Sequence, residues 1–118
     1  MSGEAGVELT ELVAGAWQLR PWPAAYADLD EVLAEQGHHG AELLAERHAR
    51  LDGWHHGDVL GFAVREITTG RSVGEVVVRV EDGAASLGST PRPGEAEQPE
   101  AVDAVRRWTV GALGLPLR

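Results

Sequence analysis

Two β-rich runs joined by a short polar turn constrain the fold of this chain more than any other feature. The runs are residues 59–67 and 72–80, and Thr68-Thr69-Gly70-Arg71 lies between them. Valine-rich runs on both sides of a glycine-containing turn predict a β-hairpin. The second run alternates two kinds of position, with Gly74, Val76, Val78 and Val80 on one side and Val73, Glu75, Val77 and Arg79 on the other. We therefore expect one sheet face to be more buried than its opposite, and helices on at least one face.

The segments before the hairpin predict a short strand and two amphipathic helices. The strand covers residues 16–20 and ends at Pro21, which has no backbone N–H to donate. The first helix follows Pro23, ends near Gly37 and is expected to bury Ala25, Leu29, Val32 and Leu33. The second is expected to end at Asp52-Gly53 and to bury Ala41, Leu44, Ala45, His48 and Leu51. Its opposite face, expected in water, carries Glu42, Glu46, Arg47 and Arg50.

The segments after the hairpin predict a third sheet strand at 84–89, a Pro- and Glu-rich loop at 90–99 and a final helix from Pro99. The buried stripe expected for that helix is Ala101, Val102, Val105, Trp108, Thr109, Ala112 and Leu113. Residues 115–118 can begin a further strand, and residues 1–15 have no clear period. We predict one domain, 1–118, of the α/β class: an α+β sandwich with a mixed, largely antiparallel sheet.

The charge of the chain disfavours several classes of partner. Ten Lys and Arg against 19 Asp and Glu give a net charge of −9, whereas nucleic acids and anionic membranes bind clustered cations. We therefore expect no nucleic-acid and no membrane partner, and amines fit better. No run approaches the ~20 apolar residues that span a bilayer, and the acidic start lacks the features of a signal peptide. The expected location is the cytoplasm.

Metal and thiol chemistry are not predicted. The absence of Cys excludes disulfides, thiolate catalysis and Cys-type zinc sites. His38-His39 and His55-His56 flank the second helix and would lie roughly 18 Å apart along it, so we expect no metal site. Asp28, Asp30, Glu31 and Glu35 form an acidic face on the first helix. This face is either a solvated surface or one that attracts a cationic amine.

Several short motifs of the chain occur together in one superfamily. They are Leu19-Arg20-Pro21-Trp22, the helix at 24–35, Trp54, Gly57, Leu60-Gly61-Phe62-Ala63-Val64 and Thr69-Gly70-Arg71-Ser72-Val73-Gly74-Glu75-Val76. The set resembles the GNAT superfamily of acyl-CoA-dependent N-acyltransferases, above all its ribosomal-protein and small-molecule acetyltransferase branch. In the tail, Ala101-Val102, Arg107-Trp108 and Leu113-Gly114-Leu115 resemble that family's third helix and the start of its fifth strand. The resemblance spans residues 17–117.

The resemblance implies a reaction and its candidate residues. The expected reaction transfers an acetyl group from acetyl-CoA, as cosubstrate, to an amine. The family sometimes places a general base on the strands that here carry Glu66 and Glu75, so these two are the candidate catalytic residues. Alternation along the strands favours a second interpretation, in which both carboxylates are solvent-side surface residues.

The loop that binds CoA in the family has a different composition here. In the family, Arg-x-x-Gly-x-Gly or Ala precedes the third helix, and backbone N–H groups hold the pyrophosphate. Aligned on Ala101-Val102, the loop is Pro93-Gly94-Glu95-Ala96-Glu97-Gln98, so Gly94 and Ala96 are the candidate cofactor-binding residues. A carboxylate within about 5 Å of a phosphate costs roughly 1–3 kcal/mol. We therefore expect a degenerate loop that binds CoA weakly or not at all.

The resemblance also implies a truncated sheet. The family continues through a fifth strand, a fourth helix and two last strands, and its usual general-acid Tyr lies there, whereas the only Tyr here is Tyr26. An open strand edge invites a covering partner subunit or a second copy of the chain. Two functions stay open. One is a GNAT-like N-acetyltransferase, although both departures argue against activity on its own; the other is a non-catalytic GNAT-derived module that binds a protein partner.

Overall fold

The computed structural model describes residues 9–118, apart from the side chain of Tyr26, and contains a five-stranded antiparallel sheet with helices on both faces. The strands lie side by side in chain order: β1 (Leu12–Ala14), β2 (Trp17–Pro21), β3 (Val59–Glu66), β4 (Ser72–Glu81) and β5 (Ala84–Pro91). The helices are α1 (Tyr26–Glu35), α2 (Gly40–His56) and α3 (Pro99–Gly111), and a 3₁₀ turn (Trp22–Ala24) links β2 to α1. The predicted α+β class is confirmed.

The predicted hairpin is confirmed. β3 and β4 are antiparallel neighbours with Phe62 opposite Val76, and a bulge shifts their register at Val64/Arg65. β5 pairs with β4 and extends to Pro91, two residues further than predicted, so it takes the start of the expected loop at 90–99. Part of the undefined segment 1–15 forms β1, which pairs with β2; residues 1–8 lie outside the described residues.

The last residues begin a strand, as predicted. Leu117 forms a parallel bridge with Ala85 on the outer side of β5. The Ala85 N–H donates to the Pro116 carbonyl at 2.9 Å, and the Arg118 N–H donates to the Ala85 carbonyl at 2.8 Å. All strand pairs of the sheet are antiparallel, and this bridge is parallel. The prediction of a mixed sheet therefore depends on this bridge.

One layer of the apolar core lies between the sheet and α3. The sheet side is formed by fully buried apolar residues of β2, β3 and β4: Leu19, Leu60, Phe62, Val64, Val76 and Val78. The ring centroids of Phe62 and Trp108 of α3 are 4.9 Å apart, edge to face, and Trp54 stacks on Trp108 at 6.2 Å. The predicted stripe of α3 is confirmed in its first turns, whereas Ala112 is exposed.

The opposite sheet face is also covered, but less completely, as the alternation predicted: Val77 is 8% exposed and Arg79 is exposed there, whereas Val78 on the α3 face is fully buried. α1 covers the opposite face with the predicted stripe Ala25, Leu29, Val32 and Leu33, which is confirmed as buried. The indole of Trp22 lies directly on β3 at Gly61. A Cβ at that glycine would be 1.9 Å from Trp22 Cζ2. The missing side chain at Gly61 is therefore what lets the 3₁₀ turn pack on the sheet.

The predicted orientation of α2 is wrong. Leu44 is 54% exposed and His48 is exposed, whereas Arg47 and Arg50 point toward α1 and β4. The helix also runs past Asp52-Gly53 to His56, which puts the buried Trp54 inside it, and Gly57 ends it with a left-handed φ of 78°. The charged side of α2 faces inward because Arg47 and Arg50 form ion pairs there with carboxylates of α1 and β4.

Candidate functional site

An open cleft of about 290 Å³ lies over β4, on the face covered by α1 and α2. Glu75 and Val77 of β4 and Thr90 of β5 form its floor, and Glu46 and Arg50 of α2 form a wall. α2 packs mainly on β3, so the outer strands stay uncovered beyond it. One of the two candidate catalytic carboxylates therefore lies in a cavity of ligand size.

Glu75 is held by donors from three separate elements. Arg50 Nη1 of α2 donates to Oε1 at 2.5 Å and to Oε2 at 2.6 Å. Gln36 Nε2 donates to Oε1 at 2.9 Å, and Trp22 Nε1 donates to Oε2 at 3.2 Å. The residue is only 3% exposed, so the interpretation of Glu75 as a solvent-side residue is wrong. A carboxylate at this depth needs such partners because burial removes its water.

These four contacts limit what Glu75 can do chemically. A carboxylate has about four lone-pair positions, two on each oxygen, and each oxygen here accepts two hydrogen bonds. No position is left for the proton of an amine unless a donor moves. The Arg50 guanidinium also lies 5.2 Å from the centre of the Trp22 ring, a cation–π contact that holds it in place.

Glu66 lies apart from Glu75. It is half-buried at the end of β3, where Thr69 Oγ1 donates to its Oε1 at 2.8 Å and the Gly70 N–H donates to its carbonyl at 2.8 Å. The preceding residue, Arg65, points to the α1 face, where it lies 3.8 Å from Asp28. Strand alternation therefore puts Glu66 on the α3 face. Its contacts are those of a residue that closes the hairpin turn.

The candidate cofactor loop, residues 92–98, joins β5 to α3. Gly94 has a left-handed φ of 87°, and both Gly94 and Ala96 are exposed. Within residues 9–118 neither backbone N–H donates to a protein acceptor. Gln98 precedes the first turn of α3 without a side-chain cap, and its amide donates instead to the Ala96 carbonyl at 3.0 Å. The loop therefore presents free N–H donors beside a helix N-terminus.

Two arginines tie this loop to the rest of the fold. Arg71 of the β3–β4 turn pairs with Glu95, and Arg92 Nε lies 2.8 Å from Glu35 Oε2 at the end of α1. The Glu95 carboxylate raises the pKa of Arg71, and burial raises the pKa of Glu35 although Arg92 opposes it. Glu97 is exposed. One of the two carboxylates expected to repel a phosphate is thus already neutralised.

The acidic face of α1 is neither a solvated surface nor a free attractor of amines. Arg47 Nη1 lies 2.8 Å from Asp30 Oδ2, and Asp28 lies between the guanidinium groups of Arg20 and Arg65 at 3.4 and 3.8 Å. Glu35 pairs with Arg92 as described above. Of the four acidic residues, Glu31 is the exposed one. Both interpretations from the sequence are wrong for the other three, because their partners come from β2, β3, α2 and the loop after β5.

The histidine pairs lie at the two ends of α2. His38 Nδ1 contacts Glu42 at 3.3 Å, and His56 Nδ1 donates to the Asp52 carbonyl at 2.8 Å, which raises the pKa of His56. Among the described residues no three His, Cys, Asp or Glu side chains lie together as a metal site. Nor is any helix in this part of the chain long and apolar enough to span a membrane.

Sequence reasoning missed Arg50, Gln36 and Arg71 as site residues. One signal for Arg50 was present, since Glu75 is the charged residue within the apolar run 73–78, and a carboxylate buried in a strand requires a cation. The sequence alone does not indicate which Arg or Lys is that cation. Gln36 lies beyond the last turn of α1 and Arg71 in a turn, positions that are usually solvated.

The structure is similar to those of solved acetyltransferases. An acetyltransferase from Agrobacterium tumefaciens strain C58 matches with a TM-score of 0.63 and 20% identity, over 99% of this chain and 77% of that one. A GNAT-family acetyltransferase from Bacillus anthracis matches at 0.59 and 15%, over 90% and 69%. The N-acetyltransferase PseH from Campylobacter jejuni, solved with acetyl coenzyme A, matches at 0.63 and 11%, over 84% and 71%. No family model and no curated protein matches the sequence. At these identities the likeness shows the fold.

Proposed function

We propose that this chain, which has the fold of the GNAT acetyltransferases, transfers an acetyl group from acetyl-CoA to an amine. The observation that carries the proposal is the structural likeness to such enzymes, one of them solved with acetyl coenzyme A. The cleft over β4 and the free N–H groups of the 92–98 loop support it, since a transferase needs a place for each of two substrates.

The loop before α3 fits a pyrophosphate better than its sequence suggests. The Gly94 and Ala96 N–H groups are free to donate, and the N-terminus of α3 adds a partial positive charge. Glu95 is paired with Arg71 and so repels an incoming phosphate less than a free carboxylate does. Acetyl-CoA bound here would supply the activated acetyl thioester and its thiol leaving group.

The acceptor amine is proposed to enter the cleft over β4. As its nitrogen attacks the acetyl carbonyl it must lose a proton, and the lone pairs of Glu75 are already used. We assign Glu75 the role of a positioning residue that fixes Arg50 and Gln36. Glu46 lines the same cleft, is partly exposed, and lies 3.6 Å from Arg50 Nε. Glu46 is therefore proposed to take the proton, and Glu66 to close the hairpin turn.

The first test is an isothermal titration of the 118-residue chain with acetyl-CoA at low salt, followed by thiol-release assays over a panel of amines. Binding and acetyl-dependent thiol release support the proposal. No heat at millimolar acetyl-CoA overturns it.

A second set of variants tests the residue roles. Glu46→Gln should lower kcat by about 10²-fold or more, the usual contribution of a general base. Glu42→Gln, on the same helix but with its side chain 69% exposed, is the control and should leave kcat unchanged. An equal kcat for Glu46→Gln and Glu42→Gln excludes Glu46 as the base.

A further inference from the structure

Arg71 brings a positive charge into a loop whose sequence contains two carboxylates. It lies in the turn between β3 and β4, and its guanidinium pairs with Glu95 of the 92–98 loop. The two residues are 24 positions apart, so only the fold brings them together. Arg71 is 42% exposed, and Glu95 is more buried, at 26%. The cation is thus open to solvent on one side.

The surroundings of Glu95 are those of an oxyanion site. The residues on either side of it, Gly94 and Ala96, have free backbone N–H groups among the described residues. A second guanidinium, that of Arg92, begins the same loop, donates to the Ser72 carbonyl at 3.4 Å and already pairs with Glu35 at 2.8 Å, which leaves Arg71 as the cation of Glu95. Guanidinium groups and backbone amides bind carboxylates and phosphates through the same geometry. The Glu95 carboxylate is therefore an internal anion bound to Arg71, in a loop whose Gly94 and Ala96 N–H groups are free to bind a further anion.

We propose that Arg71 binds a phosphate of CoA, and that the Glu95 carboxylate occupies Arg71 until the cofactor displaces it. This inference rests on the proposed acetyl-CoA-dependent function and adds a residue from outside the 92–98 loop. Exposed carboxylate–guanidinium pairs contribute little to stability. A phosphate offers more charge and more acceptor oxygens than a carboxylate. The exchange is therefore favourable, and Glu95 sets the cofactor concentration at which it occurs.

The test compares acetyl-CoA affinities of variants with a matched ion pair elsewhere. Glu95→Gln should bind about 5- to 20-fold more tightly than the wild type, and Arg71→Ala about 5- to 20-fold more weakly, the change expected for one unit charge near the surface about 5 Å from a phosphate. Arg71→Lys keeps the charge without the planar fork and should lie between Arg71→Ala and the wild type.

The control pair is Arg118 and Glu81, which lie 3.6 Å apart at the other end of β4. Glu81→Gln and Arg118→Ala make the same changes in net charge as the two test variants. They should change affinity by less than about twofold, because the ten-residue strand separates them from the loop by roughly 30 Å. Thermal melting of each variant without ligand checks that it is folded.

The outcomes separate this inference from the function on which it rests. If the wild type binds acetyl-CoA but Glu95→Gln and Arg71→Ala behave like their controls, Glu95 and Arg71 form only a structural tether and the inference is overturned, while the function stands. If neither the wild type nor Glu95→Gln binds at millimolar acetyl-CoA, the proposed function itself fails. Binding by Glu95→Gln alone supports the inference, with the Glu95 contact as the block, while the proposed function fails for the wild type.

Discussion

Arg50 supplies the positive charge that allows the Glu75 carboxylate to be buried beneath α1 and α2. It donates to both oxygens of Glu75 and stacks on Trp22. Removal of one partner from a buried ion pair leaves the other uncompensated, which costs about 3–5 kcal/mol. We therefore expect Arg50→Ala to lower the free energy of unfolding by that amount in urea denaturation.

A surface ion pair provides the comparison for Arg50. Arg106 lies 2.5 Å from Asp103 on α3, and both side chains are about half exposed. Arg106→Ala should change the free energy of unfolding by no more than about 1 kcal/mol. If Arg50→Ala proves as mild as this control, the Glu75 carboxylate is hydrated and the described network does not hold it.

Glu35 gives the protein a pH dependence with a definite sign. Burial raises the pKa of Glu35 above the ordinary value of a Glu carboxyl, although Arg92 opposes the shift. The native state therefore holds this proton more tightly than the unfolded state, so the contribution of Glu35 is present at low pH and is lost as the pH rises. We expect the free energy of unfolding of the wild type, minus that of Glu35→Gln, to fall as the pH rises through and above the ordinary titration range of a Glu carboxyl.

Denaturation of both proteins at several pH values measures this difference. Glu100→Gln is the control, because Glu100 is an exposed glutamate in the first turn of α3 and is not among the groups that shift the pKa of Glu35. A difference that rises with pH for Glu35→Gln would mean that the Arg92 contact outweighs burial.

At the scale of elements, α2 is the helix whose orientation local pattern fails to predict. Its Ala and Leu positions suggest one buried stripe, yet Leu44 on that stripe is exposed. Small or isolated apolar residues cost little in water, whereas Arg47 and Arg50 gain carboxylate partners by facing inward. Ion pairing across elements therefore decides the rotation of α2.

The contact between the 3₁₀ turn and β3 depends on a missing side chain. A Cβ at Gly61 would lie 1.9 Å from Trp22 Cζ2, and the indole is held by its hydrogen bond to Glu75 and by its contact with Arg50. Gly61→Ala should therefore lower the melting temperature, with an overpacking cost of at least about 1–3 kcal/mol. It should also weaken acetyl transfer, because Trp22 lines the cleft.

Gly88 of β5 is the matched control for Gly61. No atom lies within 4 Å of a Cβ built there, and its φ is not left-handed. Gly88→Ala should leave the melting temperature unchanged or raise it slightly. Equal effects of the two substitutions would show that Trp22 can move away from β3.

At the scale of the whole molecule, the outer edge of β5 is only partly paired. The Ala85 N–H and carbonyl both bond to residues 116–118. Strand alternation then directs the N–H groups of Leu87 and Ser89 outward as well, and within the described part of the chain they have no strand partner. In the unliganded protein we expect fast amide exchange at Leu87 and Ser89, and slow exchange at Ala85 and through β3 and β4.

Hydrogen exchange followed by NMR measures these rates residue by residue. Slow exchange at Leu87 and Ser89 in the ligand-free protein would mean that this edge is covered, either by another copy of the chain or by a segment of the same chain. A concentration series then distinguishes the two, because protection by another copy disappears on dilution and protection within one chain does not.

The sequence by itself determined the strands of the hairpin, α1, α3 and the start of a strand at Leu117. Apolar residues that repeat every 2 or every 3.6 positions are a local signal. They predict strands and helices without information about the elements packed against them. The resemblance likewise rested on motifs inside those elements. Gly94 and Ala96 lie in an exposed loop, and their role in cofactor binding remains a prediction.

Only the tertiary structure decided the rotation of α2, the burial of Glu75 and the pairing of Glu95. Arg50 and Trp22 lie 25 and 53 positions from Glu75, and Arg71 lies 24 positions from Glu95. Charged side chains carry no periodic signal that identifies their partners, and a carboxylate is as compatible with water as with an arginine. Which of the two it meets depends on how the sheet and helices close around it.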